Sequence, residues 1–82
     1  MVIQRFGEKL RILRLRHGMT LRDLTRALGY VGSGYVSEVE TGKRVPTAEF
    51  VLKVARLFNV SADRLLKDEL ELDEALPGSE EQ

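Results

Sequence analysis

An all-α fold of five short helices, followed by a short acidic C-terminal extension, is predicted for this chain by three observations. Apolar residues recur at helical spacing along most of its length. Residues that start and stop helices stand at the borders of those periodic segments. Finally, a chain of 82 residues has room for about one small core, so the helices must share it.

Taken in order, Ile3, Phe6, Leu10 and Leu13 define the apolar side of a first helix over 2–16, with Gln4, Arg5, Lys9, Arg11 and Arg16 filling much of the rest. His17-Gly18 ends it. Thr20 caps a second helix, 20–28, whose buried stripe is Leu21, Leu24, Ala27 and Leu28, and Gly29 stops it as a left-handed residue. A third helix spans 33–41. There Val36, Val39 and Glu40 share one face while Gly34, Ser37, Glu38 and Thr41 share the other, and Gly42 ends it. The loop GKRVPT follows, and Thr47 or Pro46 opens a fourth helix with Phe50, Val51, Val54, Ala55, Leu57 and Phe58 on its apolar side. Asn59 closes that helix, Ser61 caps a last turn, SADRLL, and Leu65 and Leu66 complete the core. The domain is thus 1–66. Residues 67–76 form an extension that reads either as more helix or, through Leu70 and Leu72, as a short strand; 77–82 have the composition of a disordered tail.

Composition narrows the function. Apolar residues at 43% and charged residues at 32% match a chain that folds rather than one that stays disordered. With no cysteine, disulfides and thiolate metal sites are excluded, and a reducing, cytoplasmic setting is expected. No apolar run nears the ~20 residues of a membrane span, and the start MVIQRFGEKLRILRLRHG carries Glu8 and lacks the apolar core of a signal peptide, so it reads as mature structure. His17 stands alone at a helix end without a nucleophile or second histidine, which points to no enzyme, no cofactor, no metal and no small-molecule substrate. The net charge of zero conceals an asymmetry: residues 1–66 hold twelve basic residues against six acidic ones, a net +6, whereas 67–82 carry a net −6. A basic body suits a polyanionic partner, because clustered cations bind phosphates and release counterions.

The second and third helices, joined by a glycine-bearing turn, make a helix-turn-helix candidate for double-stranded DNA. A major groove admits one α-helix, so the leading end and outer face must carry small side chains if the main chain is to approach bases and phosphates. Gly32 and Gly34 meet that need, at a cost of roughly 1 kcal/mol each relative to alanine if helical. The alternative is that both glycines simply make the turn.

The order LRxLRxxxG, TLRDLTRALG, YVSEVETGKRVPT and VLKVARLFNVSADRLL resembles the Cro and phage-repressor helix-turn-helix family, also called the xenobiotic-response-element family. The resemblance covers residues 4–66. It is most specific in V-S-x-V-E-x-G-K-R-x-P from Val36 to Pro46, joined to A-x-x-F-x-V-S from Ala55 to Ser61. It implies a five-helix lambda-repressor-like fold and operator binding as a homodimer in transcriptional control. By position it implies that Ser33, Gly34, Tyr35 and Glu38 read bases and that Ser37, Thr41, Lys43 and Arg44 hold phosphates. The chemistry agrees: serine and tyrosine offer hydroxyls, a tyrosine ring meets a thymine methyl, and a glutamate accepts from the cytosine amino group. For Glu38 the competing reading is a salt bridge to a nearby cation such as Arg22. Glu40, on the inner face, requires a partner, and Arg14 at the border of the first helix's apolar stripe is the residue expected to supply it, a pairing that the resemblance also implies.

Two features depart from the family pattern. The stretch between Gly29 and Val36 is one residue longer than the common spacing. Leu21 also stands where many relatives carry a phosphate-touching glutamine, leaving Thr20, Arg22 and main-chain amides to replace it. The expected protein is therefore a homodimeric regulator, a repressor in type, on a near-palindromic operator with recognition helices roughly 34 Å apart. Dimer contacts are expected from Leu65, Leu70, Leu72 and Leu76. The alternative is a protein-interaction adaptor or antitoxin-type module using the acidic tail, and a tail folded over the basic surface would restrain DNA binding.

Overall fold

Capping side chains start three of the helices in the computed structural model, which describes residues 5–68 and 70–72. Among these lie α1 (Phe6–Arg16), α2 (Leu21–Ala27), α3 (Gly34–Glu40), α4 (Ala48–Phe58) and α5 (Ala62–Leu66), and no strand. Thr20 Oγ1 accepts from the Asp23 N–H at 3.0 Å while Asp23 Oδ2 accepts from the Thr20 N–H at 2.9 Å, a reciprocal cap on α2. Those bonds, the one from the Thr20 main chain foremost, hold the Asp23 carboxyl below its usual range. Thr47 Oγ1 accepts from the Phe50 N–H at 3.1 Å and Ser61 Oγ from the Asp63 N–H at 3.0 Å, starting α4 and α5 in the same way. Gly29 ends α2 with φ +85°, and Asn59 ends α4 in the left-handed region with φ 55°.

The core draws on all five helices: Phe6, Leu10 and Leu13 of α1, Leu24 of α2 with Leu28 just beyond it, Val36 and Val39 of α3, Phe50, Val51, Val54 and Phe58 of α4, and Leu65 of α5. Phe6 and Phe50 meet edge to face with centroids 6.1 Å apart, tying the first helix to the fourth. Ala27 and Leu57, expected on buried stripes, are exposed, because α2 and α4 each present a narrower apolar face than their sequence allows. Leu21 and Leu66 are half-buried against the core. Ile3 and the expected start of the first helix before residue 5 lie outside the described residues.

Two α1 residues take positions that periodicity does not reveal. Gly7 faces the end of α3 so closely that a Cβ placed on it would lie 2.7 Å from the Glu40 carbonyl oxygen and nearer still to that of Val39. The two backbones touch where a side chain would separate them. Lys9, expected on the polar side, is buried: its Nζ donates to the carbonyl oxygens of Arg64, of Lys67 at 2.8 Å and of Leu70 at 2.6 Å. The ammonium thereby caps the end of α5 and holds the following segment.

That segment decides between the two readings of the extension as far as it is described. The helix stops at Leu66, and the described residues up to 72 are neither helix nor strand. Arg5 fastens them: its main-chain N–H reaches Asp68 Oδ1 at 2.9 Å, and its guanidinium grips both oxygens of Glu71 at 3.0 Å. This fork holds the Glu71 carboxyl below its ordinary range. Leu72 packs on the core from outside.

Candidate nucleic-acid interface

The turn between α2 and α3 is anchored at both ends. The Tyr30 N–H donates to the Thr25 carbonyl at 3.0 Å, and Ser33 Oγ pairs with Thr25 Oγ1 at 3.1 Å. From Ser33 onward α3 rises with Val36 and Val39 inside and Gly34 exposed. Neither Gly32 nor Gly34 has a positive φ, and nothing lies within 4 Å of where a Cβ would stand on either. The turn does not require them to be glycine. Gly29 supplies the left-handed residue instead.

The inner side of α3 is pinned through Glu40. Arg14 Nε donates to Glu40 Oε2 at 2.8 Å and Nη2 to Oε1 at 3.3 Å, with the two side chains only 13% and 7% exposed. Arg14 Nη1 also donates to the Met19 carbonyl at 3.0 Å, so one guanidinium links α1, the loop before α2, and α3. With Gly7 beside the same helix end, α3 is held at a defined angle to the body.

The outer side carries the polar groups. Ser37 is half-buried, and Thr41 is exposed with its hydroxyl turned back to the carbonyls of Ser37 and Glu38 at 3.1 and 3.2 Å. Lys43 is exposed in the loop, whose amides at 43 and 44 donate to the Glu38 carbonyl at 2.8 and 3.3 Å. Glu38 takes Arg44 as its partner, at 2.7 Å, rather than Arg22. Both members are roughly half exposed, at 44% and 55%, so water screens the pair and either is available to an outside ligand. Arg22 and Thr20 are exposed at the start of α2, with Thr20 Oγ1 engaged in the cap.

Tyr35 stands apart from its expected company. Its ring packs edge on against Phe50 at 5.1 Å and lies 5.7 Å from Tyr30, and its hydroxyl accepts from the Thr47 N–H at 3.1 Å. Arg44 lies over the ring at 5.7 Å. Ring and hydroxyl thus help to hold α3 against α4, with Tyr35 half-buried. Leu65, expected at a dimer contact, is fully buried within the protomer and supplies no surface. Leu70 and Leu72 are half-buried, and Leu76 lies outside the described residues.

A helix-turn-helix domain model matches residues 5–67. The chain belongs to the helix-turn-helix family. Among relatives of this helix-turn-helix protein is YazB of Bacillus subtilis strain 168, an uncharacterized HTH-type transcriptional regulator, 33% identical over 64 residues that cover 78% of this chain and 91% of YazB. The restriction-modification controller protein C.AhdI from Aeromonas hydrophila has the same fold, with a TM-score of 0.68 at 30% identity over 77% of this chain and 94% of C.AhdI. The N-terminal DNA-binding domain of SinR from Bacillus subtilis gives 0.73 at 26% identity, covering 83% and 99% of the two chains. The P22 c2 repressor, solved with a synthetic operator, gives 0.69 at 26% identity, covering 76% and 92%. The lambda-repressor-like five-helix fold and the Cro and phage-repressor kinship follow. The helix-turn-helix family comprises DNA-binding transcriptional regulators and not enzymes.

No helix among the described residues is long and apolar enough to cross a membrane. Gly7 does leave a mark in the sequence, since a glycine among strong helix formers in α1 signals that something approaches closely. The burial of Lys9 leaves none, because its partners are main-chain carbonyls contributed by residues far along the chain.

Proposed function

We propose that the protein is a sequence-specific, double-stranded-DNA-binding transcriptional regulator, a cytoplasmic repressor in type, acting as a homodimer on a near-palindromic operator. The observation that carries this reading is the bareness of Gly32 and Gly34: the fold needs neither glycine for backbone conformation or for space, yet both stand at the leading end of α3. An external surface that approaches the main chain accounts for them. The P22 c2 repressor, a structural relative solved with operator DNA, supports the same reading.

In this proposal Ser33, Gly34 and Glu38 meet bases, Glu38 by exchanging Arg44 for a cytosine amino group, and Arg44 then turns to a phosphate. Ser37, Thr41, Lys43, Arg44, Thr20 and Arg22 position the protein on the backbone of the duplex. Tyr35 supports the helix from within. Residues 1–66 form the binding unit, and the extension, through Leu70, Leu72 and Leu76, contributes to the dimer without Leu65.

Selection of bound duplexes from a random pool tests this directly, with an enriched palindrome as the expected result. Each phosphate contact contributes about −0.9 to the slope of log affinity against log salt. Replacing both Lys43 and Arg44 by Ala in a dimer is therefore expected to flatten the slope by up to about 3.6. Absence of saturable duplex binding would favour a protein-interaction adaptor. Gly34→Ala separates fold from function: it is expected to raise the melting temperature by a few degrees, from a helix gain of up to about 1 kcal/mol, while weakening binding to the selected duplex. Equal affinity in Gly34→Ala would mean that nothing approaches α3 at that point.

A further inference from the structure

We propose that Val31 reads the methyl group of a thymine in the major groove and is a specificity-determining residue of this protein; the inference rests on the duplex-binding reading above. Val31 is 106% exposed, the most exposed large apolar side chain among the described residues. Single exposed apolar residues are common, but this one differs from its peers. Leu15, Leu52 and Leu57 lie on helices and keep about half their surface covered, at 55%, 48% and 38% exposed, and Val45, in the loop after α3, is 71% exposed. Val31 is covered by nothing, in a turn whose neighbours are fixed.

On one side, the Tyr30 ring lies 5.7 Å from both Tyr35 and Phe50, with the Lys53 ammonium 4.8 Å over its face. On the other, Ser33 is tied to Thr25 across 3.1 Å. The main chain at 31 is therefore held while the side chain stands clear, and a β-branched side chain has few rotamers to lose on contact. Gly32 and Gly34 are open as well, with nothing within 4 Å of where a Cβ would stand, and Tyr30 is half-buried, so Val31 is the uncovered large side chain of the turn that leads into α3. The longer spacing between Gly29 and Val36 falls in this stretch, α3 starting only at Gly34. In a groove lined by hydrogen-bonding edges and phosphates, the apolar group on offer is the thymine C5-methyl.

The test uses the duplex enriched by wild-type protein from a random pool, with each thymine replaced in turn by deoxyuridine, which keeps the pairing and removes the methyl group. Wild type is expected to lose about fourfold in affinity at one thymine per half-site, the factor for one methyl taken out of contact. Val31→Ala, whose melting temperature should match wild type, is expected to bind the thymine and deoxyuridine duplexes equally at that position. A profile shared by wild type and Val31→Ala, or no methyl sensitivity in wild type, overturns the inference while leaving duplex binding intact. Failure of any duplex to be enriched sinks the binding reading and this inference with it.

Discussion

Gly7→Ala is expected to destabilise the protein by about 2 kcal/mol, lowering its melting temperature by roughly 8–16 °C. The sign is the informative part. An ordinary helix glycine replaced by alanine gains up to about 1 kcal/mol, because alanine loses less backbone freedom on folding. Here the added Cβ would meet the carbonyl oxygens of Val39 and Glu40, main-chain atoms that cannot rotate aside. Relief requires α1 and α3 to separate, which also strains the Arg14–Glu40 pair across the same crossing. Binding of a selected duplex should fall as well, since α3 would be presented at another angle. Thermal unfolding decides the matter: a variant more stable than wild type would mean that the two helices are not in contact at this point.

Lys9→Met is expected to cost about 3 kcal/mol, a fall of roughly 12–24 °C in melting temperature. Methionine fills much the same volume but donates no hydrogen bond, so the carbonyls of Arg64, Lys67 and Leu70 lose the donor on which they converge. Replacing a buried ion pair by apolar residues is often neutral, but here one partner only is removed and the polar oxygens stay. The segment after α5 then loses its inner fastening and is left with Leu72 on the core, the Arg64 bond to the Glu71 carbonyl at 2.9 Å and the largely exposed bonds of Arg5. Tryptic cleavage after Lys67 should accelerate in step with the loss of stability. A variant that melts with wild type and resists trypsin equally would remove the cradle from any account of the fold.

Much of this molecule was legible as text because its signals are local. Thr20, Thr47 and Ser61 cap the helices they precede, Gly29 and Asn59 end the helices they follow, and each acts on amides or carbonyls within a few residues of itself. The outer face of α3 was legible for the same reason, since Gly34, Ser37 and Glu38 share it by spacing alone. The packing of the Tyr35 ring on Phe50 and the bond of its hydroxyl to the Thr47 amide were not legible, because both partners come from outside α3. Leu65 reads in the sequence both as a core residue and as a dimer contact, and the fold gives it wholly to the core.

The sequence by itself determined the helices, their borders, the glycine-bare lead into α3 and the asymmetry of charge, all of which depend on neighbours along the chain. Only the tertiary structure decided that Gly7 lets two backbones touch, that Lys9 gathers three carbonyls from beyond α4, that Arg44 takes Glu38, and that Val31 is left uncovered. The physical reason is one of range: a cap or a stop acts within a turn of helix, whereas burial and pairing depend on which distant segments the collapsed chain brings together.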